Sequence, residues 1–171
     1  EDEGLDTEEG WYFFKHGIPY TASNKTTKIN NGYGVAKING KIYCFDNLGK
    51  MVTGKVDSSQ SGEYFYFDDK NGDMKYGKVK LTNSEDLDDN DYYFAEKGSI
   101  GHKGIAFTGV HKQYLYNHGV LVKAEDSKYE IVNVNGKNYL VNKSGKVLTK
   151  GTYRDTDDDL KYTVTVDSTG N

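Results

Sequence analysis

The sequence predicts an all-β chain, a β-hairpin repeat solenoid of about seven degenerate strand-turn units with few or no helices. Three observations predict it. A short strand pattern recurs along the chain, each copy closing on a glycine. Glycine outnumbers proline 20 to 1, so glycine makes the turns. Apolar residues are 35% of the chain while aromatics reach 13%, nearly all Tyr and Phe, which suits a thin core of stacked rings better than one thick core.

Each copy is a three-residue aromatic or apolar strand, a polar residue, a short turn, then Gly and an apolar pair. Tyr12-Phe13-Phe14-Lys15 with Gly17 starts the series. Tyr43-Cys44-Phe45-Asp46 with Gly49, Phe65-Tyr66-Phe67-Asp68 with Gly72, and Tyr92-Tyr93-Phe94-Ala95 with Gly98 follow. Tyr114-Leu115-Tyr116-Asn117 with Gly119, Tyr139-Leu140-Val141-Asn142 with Gly145, and Val164-Thr165-Val166-Asp167 with Gly170 complete it. Alternate strand residues face opposite ways, so the first and third of each triplet share a face and form the expected core column. The middle column, Phe13, Cys44, Tyr66, Tyr93, Leu115, Leu140 and Thr165, is more varied, as a partly exposed face would be. Asn39-Gly40 and Asn135-Gly136, each between apolar strands, predict tight two-residue hairpins. One hairpin cannot bury its own apolar face, but stacked neighbours can.

Two units carry acidic inserts, residues 84–91 and 155–159. Neither has the spaced acids, central Gly and closing Glu of a calcium loop, so both read as solvated hairpin loops. The segment Gly104-Ile105-Ala106-Phe107-Thr108-Gly109 repeats the pattern of Gly49–Gly54 and marks an irregularity after Gly98. Residues 1–9 are acidic and patternless, a disordered or linker-like start, and the opening Glu1-Asp2-Glu3-Gly4 reads like the cut edge of something longer; residues 10–171 read as a single hairpin array.

Charge and motif content narrow the function. The net charge is −4 and Arg154 is the only Arg, which argues against nucleic acid. No apolar run approaches the roughly 18 residues of a membrane span. Cys44 is the lone cysteine and reads as a small buried hydrophobe. His16 and His118 fall in equivalent turns before Gly17 and Gly119, and no histidine spacing fits a zinc site. No nucleophile elbow or phosphate-cradling loop occurs, and the paired acids lie in loops. The chain is therefore expected to be no enzyme and to need no cofactor or metal. Aromatics are the only repeated chemistry, and they stack on sugar rings or cage quaternary ammonium groups.

The segment Ile38-Asn39-Gly40-Lys41-Ile42-Tyr43-Cys44-Phe45-Asp46-Asn47-Leu48-Gly49-Lys50-Met51-Val52-Thr53-Gly54 resembles the cell-wall-binding, or choline-binding-type, repeat. That family is related to glucan-binding repeats and to the repetitive oligopeptides of clostridial toxins. Residues 134–149 resemble it too, and Gly10-Trp11-Tyr12-Phe13-Phe14 begins like another copy. The resemblance implies a secreted or cell-wall-associated bacterial protein whose repeats bind cell-wall polysaccharide or teichoic acid. It departs at one point. The family often places Trp after the Thr-Gly, where this chain has Lys55, Lys78 and Val110; only Gly10-Trp11 keeps the pair. A regular ladder of choline sites is therefore not expected. Trp11, Tyr66 and Tyr93 are the candidate ligand contacts. The alternative is a structural spacer or protein-interaction module without glycan binding, self-associating through exposed edge strands.

Overall fold

The computed structural model describes residues 9–165. They form short antiparallel strands with no helix among them: β1 (Phe14–Lys15), β2 (Ile18–Pro19), β3 (Thr27–Lys28), β4 (Gly34–Ile38), β5 (Lys41–Phe45), β6 (Met51–Val52), β7 (Gly54–Asp57) and β8 (Tyr64–Phe67). After these come β9 (Gly77–Leu81), β10 (Asn90–Phe94), β11 (Gly109–His111), β12 (Tyr114–Asn117), β13 (Val120–Leu121), β14 (Tyr129–Val134), β15 (Lys137–Asn142), β16 (Gly151–Asp155) and β17 (Leu160–Val164). The all-β hairpin architecture expected from the sequence is present. Contacts divide the described chain into two compact units, one of residues 9–77, 82–89 and 94–105, the other of residues 78–81, 90–93 and 106–165. The acidic start, residues 1–8, and residues 166–171, which hold most of the last expected repeat, lie outside the described residues.

The first unit holds a four-stranded sheet in the order β3-β4-β5-β6 and the hairpins β1-β2 and β7-β8. The second holds a five-stranded sheet ordered β11-β12-β13-β10-β9 and the hairpins β14-β15 and β16-β17. Five connections are two-residue turns in which both residues have positive φ: His16-Gly17, Asn39-Gly40, Lys112-Gln113, His118-Gly119 and Asn135-Gly136. That geometry matches the twist of the flanking strands. Asn and Gly enter it at little cost, which is why the Asn-Gly turns were legible. His16 and His118 occupy the first turn position, so their equivalence is one of backbone shape.

In three units the polar residue after the strand has a defined task. Asp46 Oδ1 accepts the Leu48 and Lys50 N–H groups, each at 2.9 Å. Asp68 Oδ1 accepts from Lys70 and Asn71, and Asn142 Oδ1 from Ser144 and Lys146. In each case the following glycine N–H returns to the same residue's carbonyl, Gly49 to Asp46, Gly72 to Asp68 and Gly145 to Asn142. These are Asx turns, in which a short side chain replaces a backbone acceptor. The fourth unit corrects the expectation. Ala95 has no side-chain acceptor, and the N–H that returns to its carbonyl belongs to Gly104, not Gly98. Without an Asx acceptor the turn lengthens, and the Gly104–Gly109 segment takes the place that Gly49–Gly54 holds elsewhere.

The middle column also differs from its expectation of partial exposure. Cys44 and Leu115 are fully buried, and Tyr66, Tyr93 and Leu140 are buried as well. Phe65 and Phe67 pack with Val35, Cys44, Val56 and Met74 in the first unit. Tyr93 packs with Tyr116 and Leu121, and Leu115 with Val134 and Val141, in the second. Hairpins cover both faces of the central strands, so a period-two pattern does not separate inside from outside there. At the ends the column opens, with Phe13 half-buried and Thr165 exposed, and the core column fails at the start, where Phe14 is exposed because no earlier hairpin among the described residues covers it.

The acidic inserts are fastened into the fold. Asp86 Oδ2 accepts the Lys55 N–H, and Asp89 Oδ1 accepts that of Asn83. Asp155 is buried, accepting from Lys128 and Asp157. Among the described residues no group of three metal-ligating side chains comes together.

Two predictions follow from this packing. Burial, with a smaller contribution from the Asp46 charge, pushes the Cys44 thiol up to about 12. A disulfide reagent at pH 8 is expected to leave Cys44 unmodified in the native protein and to titrate one thiol in denaturant; rapid native labelling would contradict this packing. The Asn71 N–H foremost, then the Lys70 N–H and the Lys75 ammonium, hold the Asp68 carboxyl below its ordinary value of 3.8. Its stabilising contribution is full above that value and fades as pH falls through the lower folded one. Asp68→Ala should lower unfolding stability by about 1 kcal/mol at neutral pH, and Asp68→Asn by clearly less, since Asn142 serves the same turn. Urea titrations of both variants at pH 7 and pH 3 check it.

Candidate ligand-binding site

Within the first unit, the chain just before β1 lies along the return strand β6. The Met51 N–H donates to the Trp11 carbonyl at 2.8 Å, and Tyr12 bridges Lys50. This backbone pairing sets Trp11 beside Phe13, Tyr43 and Met51, with Lys70 and Asn71 from the next turn, around an open pocket of about 250 Å³. Phe13 lies 5.3 Å from Tyr43 between ring centroids, tilted by 33°, and meets Phe45 edge-on at 5.8 Å. Tyr20 rests on the Phe45 ring at 5.7 Å. Inner rings are thus held by packing while Trp11 stays 73% exposed.

The Met51 wall depends on a glycine. A Cβ at Gly72 would stand 2.5 Å from the Met51 sulfur, and Gly72 has φ of +75°. The tight turn therefore both needs glycine and makes room for the thioether. Three aromatic rings with a polarizable sulfur present negative π faces to a quaternary ammonium and flat apolar faces to a sugar ring. Lys70 adds a cation at the rim. A bare cation meets repulsion there, while a neutral sugar, or an ammonium joined to an anionic group, does not.

Of the three residues singled out from the sequence, only Trp11 lies in this pocket. Tyr66 stacks on Phe94 at 6.2 Å and 17°, and its hydroxyl donates to Asp69 Oδ2 at 2.8 Å and lies 3.2 Å from Ser84 Oγ. Burial pushes its phenol up to about 12. Tyr93 lies flat on the His111 ring at 4.0 Å and edge-on to Phe107 at 5.3 Å. Both rings are covered by neighbours rather than turned to solvent, because the middle column is buried. Phe13, Tyr43, Met51, Lys70 and Asn71 were not singled out. Tyr43 was assigned to the core column, but it is only half-buried because the Trp11 segment covers part of it.

The second unit contains the same two-hairpin block. Val147 N–H donates to the Gln113 carbonyl as Met51 does to Trp11; Val122 donates to Leu115 as Tyr20 does to Phe13; Ala124 donates to Asn142 as Ala22 does to Asp46. The positions of Trp11, Phe13, Tyr43 and Met51 are thus filled there by Gln113, Leu115, Tyr139 and Val147. The backbone is repeated and the aromatic pocket is not.

The family pattern for the choline-binding repeat matches residues 33–78. No curated protein sequence matches the chain. Among solved structures, the chain is similar to CbpF in complex with ipratropium, at 26% identity and a TM-score of 0.57 over 86% of this chain and 39% of that one. It is similar to choline binding protein F from Streptococcus pneumoniae crystallised in the presence of a peptidoglycan analogue, a tetrasaccharide-pentapeptide, at 26% identity and a TM-score of 0.57 over 91% of this chain and 41% of that one. The chain therefore spans about two fifths of the length of these proteins.

Gly72→Ala should cost about 1–2 kcal/mol from its left-handed backbone alone and displace Met51 from the pocket wall. Thermal melts, together with the chemical shift of the Met51 methyl group, check both parts. With hairpin, Asx turn and inter-hairpin pairing recurring in both units, and residues 33–78 matching the repeat itself, the chain carries choline-binding-type repeats, in degenerate copies.

Proposed function

We propose that this chain is a non-catalytic binding module of a secreted or surface-attached bacterial protein, and that it holds cell-wall polysaccharide or teichoic acid through the Trp11 pocket. The observation that carries the reading is the open cluster of Trp11, Phe13 and Tyr43 with Met51, in a chain that carries these repeats. The similar proteins support it: one is described with ipratropium and one in the presence of a peptidoglycan analogue. Lys70 at the rim favours a ligand that carries a neutral or anionic group beside its ring or ammonium. Tyr66 and Tyr93 enter this proposal as the rings that hold the hairpins in place.

A second reading, a spacer that pairs with another chain, is favoured by one observation. The β14-β15 hairpin forms its own two-stranded sheet, and Ile131 on it is 60% exposed. That reading predicts concentration-dependent self-association and indifference to sugars.

Trp11 is the only tryptophan, so intrinsic fluorescence reports on the pocket directly. Titration with phosphocholine and wall glycan fragments should shift its emission to the blue, and choline alone should do so only at higher concentration. Retention on purified wall should fall about tenfold or more in Trp11→Ala and Tyr43→Ala, the range expected for losing a partly desolvated aromatic contact, with circular dichroism unchanged. Absence of retention on every wall and polysaccharide preparation would sink the proposal.

A further inference from the structure

A second pocket in the first unit differs from the aromatic one in chemistry. It has a volume of about 380 Å³ and is lined by Lys15, Lys25 and Lys37, by Thr26 and Thr27, and by Tyr20 among others. No carboxylate lines it, although the chain carries more acids than bases. Three other lysines do meet carboxylates: Lys55 with Asp57, Lys75 with Asp68 and Asp73, Lys123 with Asp91. No ion pair is formed by Lys15, Lys25 or Lys37 among the described residues; the Lys25 ammonium reaches only the Lys15 carbonyl, at 3.4 Å. Three like charges around one hollow repel one another, so stability does not account for them.

Comparison of the two blocks shows that the fold does not require them either. Lys15 and Lys37 correspond to Asn117 and Asn133, by the matched turns His16-Gly17 with His118-Gly119 and Asn39-Gly40 with Asn135-Gly136. Lys25, Thr26 and Thr27 come from a segment that the second block lacks. Between Ala22 and Gly34 the chain runs through residues 23–33, whereas between the matching Ala124 and Glu130 it runs only through residues 125–129. Lys25 itself sits at φ of 63°, a left-handed position in this extra loop. The first block thus carries an insertion and two substitutions that converge on one polar hollow.

We infer that this hollow is an anion-binding site that takes the phosphate groups of a phosphodiester-linked wall polymer. Lysine ammoniums are point-charge phosphate ligands that need no fixed fork geometry, and the Thr27 hydroxyl adds a donor at the wall of the hollow, while the Thr26 hydroxyl donates to the Thr21 carbonyl at 2.7 Å and holds the loop. The distribution of charge over three separate segments suits a repeating polyanion. The choice of a wall polymer rests on the wall-binding reading above; the anion site itself does not.

The test uses the whole chain, with lysines 15, 25 and 37 changed together to Gln, and purified wall before and after chemical removal of its phosphate polymers. A control variant removes the same charge at Lys112, Lys143 and Lys161. Inorganic phosphate and long-chain polyphosphate are titrated in parallel, with amide shifts at Thr26 and Thr27 as the readout. The wild-type chain is expected to hold the phosphate-bearing wall at least tenfold better than the stripped wall at low salt, with the advantage shrinking as salt screens it. The triple variant should lose that advantage and the control variant should keep it. Equal retention on both walls, equal loss in triple and control variants, or tighter binding to duplex DNA than to the phosphate-bearing wall would overturn the inference. Trp11→Ala separates the two readings. If it leaves retention unchanged while the triple variant loses it, the aromatic-pocket proposal fails and the anion site stands; the reverse pattern has the opposite meaning.

Discussion

The structure depends on one kind of bond: the backbone hydrogen bond that ties a return strand to the hairpin before it. Met51 donates to Trp11, Met74 to Ile42 and Val147 to Gln113. A two-residue hairpin with a three-residue aromatic strand has too little apolar surface to stand alone in water. These bonds hold successive hairpins close enough for each strand to be buried on both faces. The core residues Cys44, Phe65 and Leu115, all without solvent exposure, are consequences of that tie. So is the aromatic pocket, since its tryptophan is positioned by a carbonyl and not by its ring.

Much of the fold was legible because local chemistry alone specifies the hairpins. Asn39-Gly40 and Asn135-Gly136 name their turn type from two residues, and Asp46, Asp68 and Asn142 mark where an Asx turn begins. The fourth unit departs from the pattern at Gly98 because Ala95 lacks an acceptor, so turn length there is set by the backbone bonds of Ala95 with Gly104 and Ile105 and not by local sequence. The exposure of the middle column was not legible either. Alternation shows which residues share a face, but it does not show whether a second hairpin covers that face. Tyr66 and Tyr93 are aromatic and in the same column as Phe13, yet only a tertiary contact distinguishes covered from open.

The site was legible in one residue of six. Trp11 stood out as the lone Gly-Trp pair. Its companions beyond Phe13 come from β5, Tyr43, from the return strand, Met51, and from a turn about sixty residues away in sequence, Lys70 and Asn71. No local pattern links these positions. Only the inter-hairpin hydrogen bond does, and it involves no side chain. The lysine hollow escaped for a similar reason: Lys15, Lys25 and Lys37 are unremarkable in a lysine-rich chain until the two blocks are laid side by side.

The Trp11 carbonyl has one further consequence, and it concerns how such a chain can change. The atom that fixes this position in the fold is a main-chain oxygen, and Gln113 shows that the same bond forms with an entirely different side chain. The outward group at this register is therefore nearly free of structural duty. Binding preference can be rewritten there one block at a time, with each variant still folding, and blocks in a single chain can specialise for different parts of one polymer.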